Sequence, residues 1–327
     1  MRRGFVLGKF MPFHAGHQFL CDVASNLVDE LTVLVCTRDC EPIDGQRRFD
    51  WVSQSVRRNV RVVHLHRDIP QEPAEHPDFW TIWKAVIAEY HPKPIDTVFG
   101  SETYVTKLAE TLDAAPFIVD LPRDSVPISA RQIRANPAAH WDFIPPAVRP
   151  DYQTRICLLG PESTGKTTLA NALGYPVIPE YGRSYDAQFR QGQNWTAADF
   201  IALSQGHIAL RREIAARSGP VCIEDTDLIQ TMAWADFLLG KIPEPLLDIA
   251  AGWTAATHYI LLTPDVPWTN DGTRYTGDSA ARTRFLECLI TLLNRYDLRY
   301  DVITGADWAA RTQSASKLVA DISRHQP

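Results

Sequence analysis

Gly160-Pro161-Glu162-Ser163-Thr164-Gly165-Lys166-Thr167 fits the pattern G-x-x-x-x-G-K-[ST]. The stretch follows an apolar run, Arg155–Leu159, and precedes a helical one, Thr168-Leu169-Ala170-Asn171-Ala172-Leu173. A strand, a glycine-rich turn and a helix in that order make a phosphate cradle. Backbone N–H groups point at the anion, the lysine reaches the β- and γ-phosphates, and the following hydroxyl reaches Mg²⁺. The expected nucleotide contacts are Gly160, Glu162, Ser163, Thr164, Gly165, Lys166, Thr167 and Thr168, with Thr167 on the metal. A guanine-reading N-K-x-D segment is absent, which argues against a GTPase.

Downstream, Val221-Cys222-Ile223-Glu224-Asp225-Thr226-Asp227 is an apolar run that ends in carboxylates. Such a strand end supplies a Mg²⁺ partner or a base for a substrate hydroxyl, and Asp225 is the expected residue. It equally suits a plain strand terminus that caps the next helix. Asp265-Val266-Pro267-Trp268-Thr269-Asn270-Asp271-Gly272-Thr273-Arg274 is polar and turn-rich, between a strand and a helix near Ala280–Leu293. It reads as a lid that brings Arg274 onto the transferred phosphate, or as a surface loop.

Short apolar runs alternate with longer amphipathic ones through the whole chain, the pattern of βα units and mainly parallel sheets. Strands are expected at Gly4–Leu7, Leu31–Cys36, Val60–Leu65, Thr97–Phe99 and Phe117–Val119, then at Arg155–Leu159, Val221–Glu224, Tyr259–Leu262 and Asp301–Ile303. Leu20, Val23, Ala24, Leu27 and Val28 form a helical stripe. Ile144-Pro145-Pro146-Ala147-Val148-Arg149-Pro150 carries three prolines and cannot continue a helix or sit in a central strand. The chain therefore divides into an α/β domain over 1–146, a linker over 147–154 and a second α/β domain over 155–327.

The first domain has its own strand-to-helix turn, Gly8-Lys9-Phe10-Met11-Pro12-Phe13-His14-Ala15-Gly16-His17. Glycines let the backbone approach an anion, the helix start offers unpaired N–H groups, and imidazoles can donate to phosphoryl oxygens. The decapeptide resembles the nucleotidyltransferase superfamily with the HxGH signature. That superfamily's second motif is matched by Ile128-Ser129-Ala130-Arg131-Gln132-Ile133-Arg134, which departs at Arg131, where the family usually has Thr or Ser. The resemblance implies a Rossmann-like domain in which His14, His17 and Arg134 hold the triphosphate of ATP, with Gly8, Lys9, Phe10, Gly16, Ser129 and Arg131 around the nucleotide. A substrate phosphate attacks the α-phosphorus and pyrophosphate leaves, with Mg²⁺.

An HxGH domain followed by a P-loop kinase domain resembles the NadR family, which joins nicotinamide-nucleotide adenylyltransferase to ribosylnicotinamide kinase. Phe99-Gly100-Ser101-Glu102-Thr103-Tyr104, Pro179-Glu180-Tyr181-Gly182-Arg183-Ser184-Tyr185 and the segment with Asp265, Pro267, Trp268, Asp271, Gly272 and Arg274 are similar to that family in the same order. The resemblance implies two reactions: nicotinamide riboside and ATP give nicotinamide mononucleotide (NMN) and ADP, and then NMN and ATP give NAD and pyrophosphate. It makes Asp225 the first choice for polarising the riboside hydroxyl and Glu180 the second, with Arg183 and Asp227 on ribose or phosphate. Trp268, Asp271 and Arg274 would belong to the lid. Trp80 and Trp83 offer rings that could stack on a cationic nicotinamide, but their helical spacing fits core packing equally. Other family members carry an N-terminal helix-turn-helix; this chain starts at a strand, and DNA binding is not expected.

Composition narrows the classes. With 45% hydrophobic and 22% charged residues over 327 positions, extensive disorder is excluded. A net charge of −6 argues against coating nucleic acid. The cysteines at 21, 36, 40, 157, 222 and 288 include no CxxC pair and read as free thiols of a cytoplasmic protein. No run is long enough to be a membrane span. The expected partners are small molecules, with a homo-oligomer compatible with the size. Two alternatives stay open: a fusion acting on another vitamin riboside or pantetheine-like alcohol, and a nucleotide sensor with little turnover.

Overall fold

The computed structural model describes residues 1–268 and 278–324, which form two compact units, Met1–Asp151 and Tyr152–Pro327. In the first, Phe5 and Val6 are fully buried in the middle of β1 (Arg3–Gly8), a run with apolar neighbours on both faces, as a central parallel strand needs. β1 pairs with β2 (Glu30–Thr37) on one side and β4 (Thr97–Gly100) on the other; β3 (Val60–His66) and β5 (Ala115–Ile118) close the edges. All pairings are parallel, in the order β3-β2-β1-β4-β5. The order reverses at β1, which opens a crevice at the carboxyl ends of β1 and β4, the usual ligand position in such sheets.

Helices α1 (Ala15–Leu27), α2 (Gly45–Ser55), α3 (Phe79–Tyr90), α4 (Tyr104–Thr111) and α5 (Ala130–Ala135) join these strands or follow them. The α1 stripe buries Leu20 and Ala24. β5 starts earlier than its apolar residues suggest. The Ala115 amide bonds to Asp96 O and extends the ladder through an exposed edge, where no hydrophobic signal marks the start.

The helical turn α6 (Arg149–Tyr152) lies within the span 147–154, and Asp151 accepts from the Trp51 indole at 2.6 Å. Gln153 and Thr154 are already buried at the start of the second sheet. That sheet is also parallel, in the order β10-β9-β6-β8-β7. Its strands are β6 (Thr154–Leu159), β7 (Val177–Ile178), β8 (Val221–Asp225), β9 (His258–Leu262) and β10 (Tyr300–Ile303). β7 has two residues and leaves no periodicity to read. The helices are α7 (Lys166–Ala172), α8 (Tyr181–Tyr185), α9 (Ala197–Arg217), α10 (Leu228–Leu239), α11 (Glu244–Ala251), α12 (Ser279–Arg295) and α13 (Trp308–Arg324).

All six cysteines are free, and Cys21, Cys36, Cys157 and Cys222 are buried. No helix among the described residues is long and apolar enough to cross a membrane.

Candidate active sites

In the first unit the turn between β1 and α1 is held by its own aromatic rings. Gly8 lets Phe10 fold back, since a β-carbon there would come within 2.8 Å of the Phe10 ring. Phe10, at φ 50°, meets the His17 ring edge-on at 5.0 Å, and Phe13 stacks on it at 5.8 Å. His14 caps α1: its Nδ1 accepts from the Gly16 amide at 3.1 Å. An accepting Nδ1 leaves the proton of a neutral ring on Nε2, free to donate. Burial, and then the charge of Arg123, lower the His14 pKa to about 4. Burial also lowers His17 well below its usual value, helped by His14 and Arg123. Both rings are neutral donors at pH 7. The Nδ1 of His17 is buried without a hydrogen-bond partner among the described residues.

The charge of Arg123 reaches this pair, and other cations brace the turn. The Arg134 guanidinium donates to Met11 O, which brings the end of α5 to the turn. Ser129 caps α5 through a reciprocal box with Gln132, and Arg131 stands exposed in its first turn. Arg123 comes from a loop folded around Asp120, whose carboxylate accepts from the amides of Asp124, Ser125 and Val126. Lys9 ion-pairs with Glu41 at 3.8 Å, and Arg48, fully buried, pairs with Glu41 at 2.5 Å while donating to Lys9 O at 3.0 Å.

In the second unit the cradle follows β6. Ser163 and Gly165 take φ of 60° and 82°, the left-handed region that turns amides toward one centre. Lys166 Nζ donates to the carbonyls of Gly160 and Pro161 at 2.9 and 3.1 Å, and burial lowers its pKa. The Thr167 hydroxyl donates to Asp225 Oδ2 at 2.6 Å. Asp225 Oδ1 is buried with no partner among the described residues, and burial, then Glu180, raise the carboxyl's pKa. Gln230 clamps Gly160 at both its amide (3.3 Å) and its carbonyl (2.9 Å).

A cavity of about 830 Å³ opens beside these groups. Lys166, Thr167, Thr168 and Asp225 line it together with Glu180 and Arg183, which are paired at 3.2 Å. Trp195, Phe200, Leu203, Trp234 and Leu238 add an apolar lining.

The comparisons with known proteins divide the chain in the same way. The cytidylyltransferase-like family matches residues 5–148 and the AAA domain family matches residues 155–311. The trifunctional NAD biosynthesis/regulator protein NadR of Salmonella typhimurium is 28% identical, over 99% of this chain and 84% of that protein; the Escherichia coli protein of the same name gives the same figures. Nearly the whole chain is therefore similar to NadR, across both units. A nicotinamide-nucleotide adenylyltransferase of Methanoculleus marisnigri is 26% identical over 45% of this chain and 88% of its own length. A crystal structure of NadR protein in complex with NR shares the fold, with a TM-score of 0.75 and 22% identity over 99% of this chain and 97% of that one.

Burial and hydrogen bonding correct three expectations. Phe10, 2% exposed, packs on His17 and supports it instead of facing a nucleotide. Trp83, 4% exposed, donates its indole N–H to Pro70 O and belongs to the core under α3; Trp80 is half-buried and is the ring of the pair a ligand can reach. Asp227 caps α10 and is closed off: its oxygens accept from the Ile229 amide at 2.9 Å and the Tyr259 hydroxyl at 2.7 Å. Trp268 is half-buried, whereas Asp271 and Arg274 lie outside the described residues. The sequence reading missed Arg48, Glu41, Arg123 and Gln230, which reach their sites from distant segments with no motif of their own.

Proposed function

We propose that the second unit transfers the γ-phosphoryl group of ATP to the 5′-hydroxyl of nicotinamide riboside, and that the first unit adenylylates the resulting NMN to NAD. The observation that carries this reading is Asp225. It lies between the Thr167 hydroxyl of the phosphate cradle and a cavity large enough for a nucleoside, with its Oδ1 unpartnered. In the phosphorylation, that oxygen accepts the hydroxyl proton as the riboside oxygen bonds to the γ-phosphorus and ADP leaves. Lys166 exchanges its bonds to Gly160 and Pro161 for the phosphates. The indole and phenyl lining suits a flat pyridinium cation.

The Thr167 hydroxyl and the Asp225 carboxylate are an oxygen donor set of the kind Mg²⁺ takes with a nucleotide, and the orphaned Oδ1 fits that use too. Bound there, the ion would neutralise charge on the β- and γ-phosphates. In the adenylylation, an NMN phosphate oxygen bonds to the α-phosphorus and the bond to pyrophosphate breaks. His14, His17, Arg123 and Arg134 hold the departing charge by hydrogen bonds and field, with no nucleophile from the protein. The relatives' names and the NR complex support the substrate choice.

A chromatographic product assay with Mg-ATP and nicotinamide riboside tests both steps. Wild type is expected to make NAD, Lys166→Ala to make NAD only from added NMN, and His14→Ala to stop at NMN. Wild type that consumes neither riboside nor NMN would overturn the assignment, and binding of ATP and NAD without product would make the protein a sensor.

A further inference from the structure

Arg311 ties the ends of β9 and β10 to the phosphate cradle. The residue is 1% exposed. Nη1 donates to Gly305 O at 2.7 Å, and Nη2 to Thr263 O and Thr164 O, both at 3.3 Å. Asp265 holds the same corner, accepting from the Gly305 amide and the Thr263 hydroxyl at 2.6 Å each. Asp307 accepts from the Ala310 amide at 2.8 Å and caps the first turn of α13. Trp308, the first residue of that helix, therefore projects from a fixed backbone.

The Trp308 ring lies against Gly165. A β-carbon on Gly165 would sit 2.1 Å from the ring, and at φ 82° the position disfavours any other residue, so the cradle accommodates this indole specifically. Arg311 Cζ is 5.8 Å from the ring centroid. Even so, Trp308 is 47% exposed. Among the described Phe and Trp residues of the second unit, only Phe189 and Trp308 are exposed to this degree, and it is Trp308 that touches the cradle.

A held aromatic ring, half open beside a triphosphate cradle, is a surface for a flat heteroaromatic base. When the phosphates rest on the amides around Gly165–Thr167, the base stands a ribose length away from them. Gly165 lines the acceptor cavity, while Trp308 lies outside that lining, so the two ligands meet different walls. We propose that Trp308 is the platform on which the purine of ATP stacks in the kinase reaction. The inference rests on the second unit being the riboside kinase.

Steady-state riboside phosphorylation with ATP and with CTP, in wild type, Trp308→Ala and Trp308→Phe, tests it. Trp308→Ala is expected to raise the KM for ATP about five- to a hundredfold, the range that loss of one base–aromatic stack produces. Its kcat should change far less, its preference for ATP over CTP should narrow, and Trp308→Phe should restore most of the affinity. The KM for ATP in adenylylation of NMN, which uses the other unit, should not move. An unchanged kinase KM overturns the proposal. So does an equal loss with both donors accompanied by a lower melting midpoint, since that describes a cover over Gly165. If wild type phosphorylates no riboside, the kinase reading falls instead. Equilibrium binding in a His14→Ala background then decides: Trp308→Ala must weaken ATP and spare inorganic triphosphate, and equal weakening of both overturns the platform.

Discussion

The imidazoles of His14 and His17 stack with ring centroids 3.7 Å apart and planes 25° from parallel. Two charged rings at that distance would repel strongly in a buried site, and Arg123 adds a third positive charge to the balance. The pair works as neutral donors whose affinity for phosphate comes from direction, with the net positive charge supplied by arginines. In the free protein the His14 ring signals in a pH-dependent NMR series should stay constant from about pH 8 to about pH 5, while exposed imidazoles titrate near the usual value. The His14→Gln variant assigns the signals. A midpoint near 6.5 would refute the neutral assignment.

Arg48 carries the backbone of the same turn from below. It is fully buried, its charge is matched by Glu41, and it donates to Lys9 O. Replacing it with Met leaves Glu41 without its closest cation and Lys9 O without a donor. Breaking a buried pair in this way costs about 3–5 kcal/mol. Denaturant unfolding should show that loss in the first unit and not in the second, together with a higher KM for ATP in adenylylation. Glu41→Gln with Arg48→Met should recover part of the stability, because the stranded charge is gone.

Both phosphate turns were legible in the sequence because each is a contiguous motif between a strand and a helix. Asp225 was legible for the same reason, as the end of an apolar run. The supporting residues were not. Arg48 reaches Lys9 across 39 positions and Gln230 reaches Gly160 across 70, and neither separation has a periodicity. Trp83 stayed open between two readings because a helical spacing of aromatics fits a core and a ligand shelf equally, and only burial separates them. Asp227 misled because strand-end carboxylates two residues apart look alike. The positive φ of Thr226, 67°, sends the two to different surroundings.

Gln230 fixes where the cradle begins. Its side-chain amide bonds both the N–H and the carbonyl of Gly160, just past the end of β6, and both hydrogen bonds are buried. Gln230→Leu keeps the volume and removes both. At about 1 kcal/mol for each bond, the second unit should lose about 2 kcal/mol of stability. The rate of riboside phosphorylation should fall while adenylylation continues at the wild-type rate. Equal loss of both activities would show that the clamp acts beyond its own cradle.

Asp227 makes the second unit's stability depend on pH in the direction opposite to ordinary acid unfolding. Burial, then the neighbouring Glu224, raise its pKa from 3.8 to about 6, although Tyr259 and the Ile229 amide both donate to it. Between those two values the native state binds a proton that the unfolded chain does not. Stability therefore rises as pH falls through about 6 and is lower above it, where the buried carboxylate must be charged. Glu224 is displaced the other way, chiefly by the His207 hydrogen bond and the Arg155 charge overcoming its burial, so its contribution is lost only in more acid solution, below its ordinary value of 4.5. Asp225 is raised like Asp227 and adds to the same trend. Urea unfolding of the second unit should accordingly give a higher midpoint at about pH 6 than at about pH 8. Asp227→Asn carries no charge; its amide oxygen still accepts from Ile229 and its amide nitrogen donates to the Tyr259 oxygen, so the midpoint at the higher pH should rise and the pH difference should shrink to what Asp225 contributes. A midpoint that falls from pH 8 to pH 6 in wild type would mean that the carboxylate is comfortably ionised in the fold, and that the Tyr259 hydroxyl compensates its burial in full.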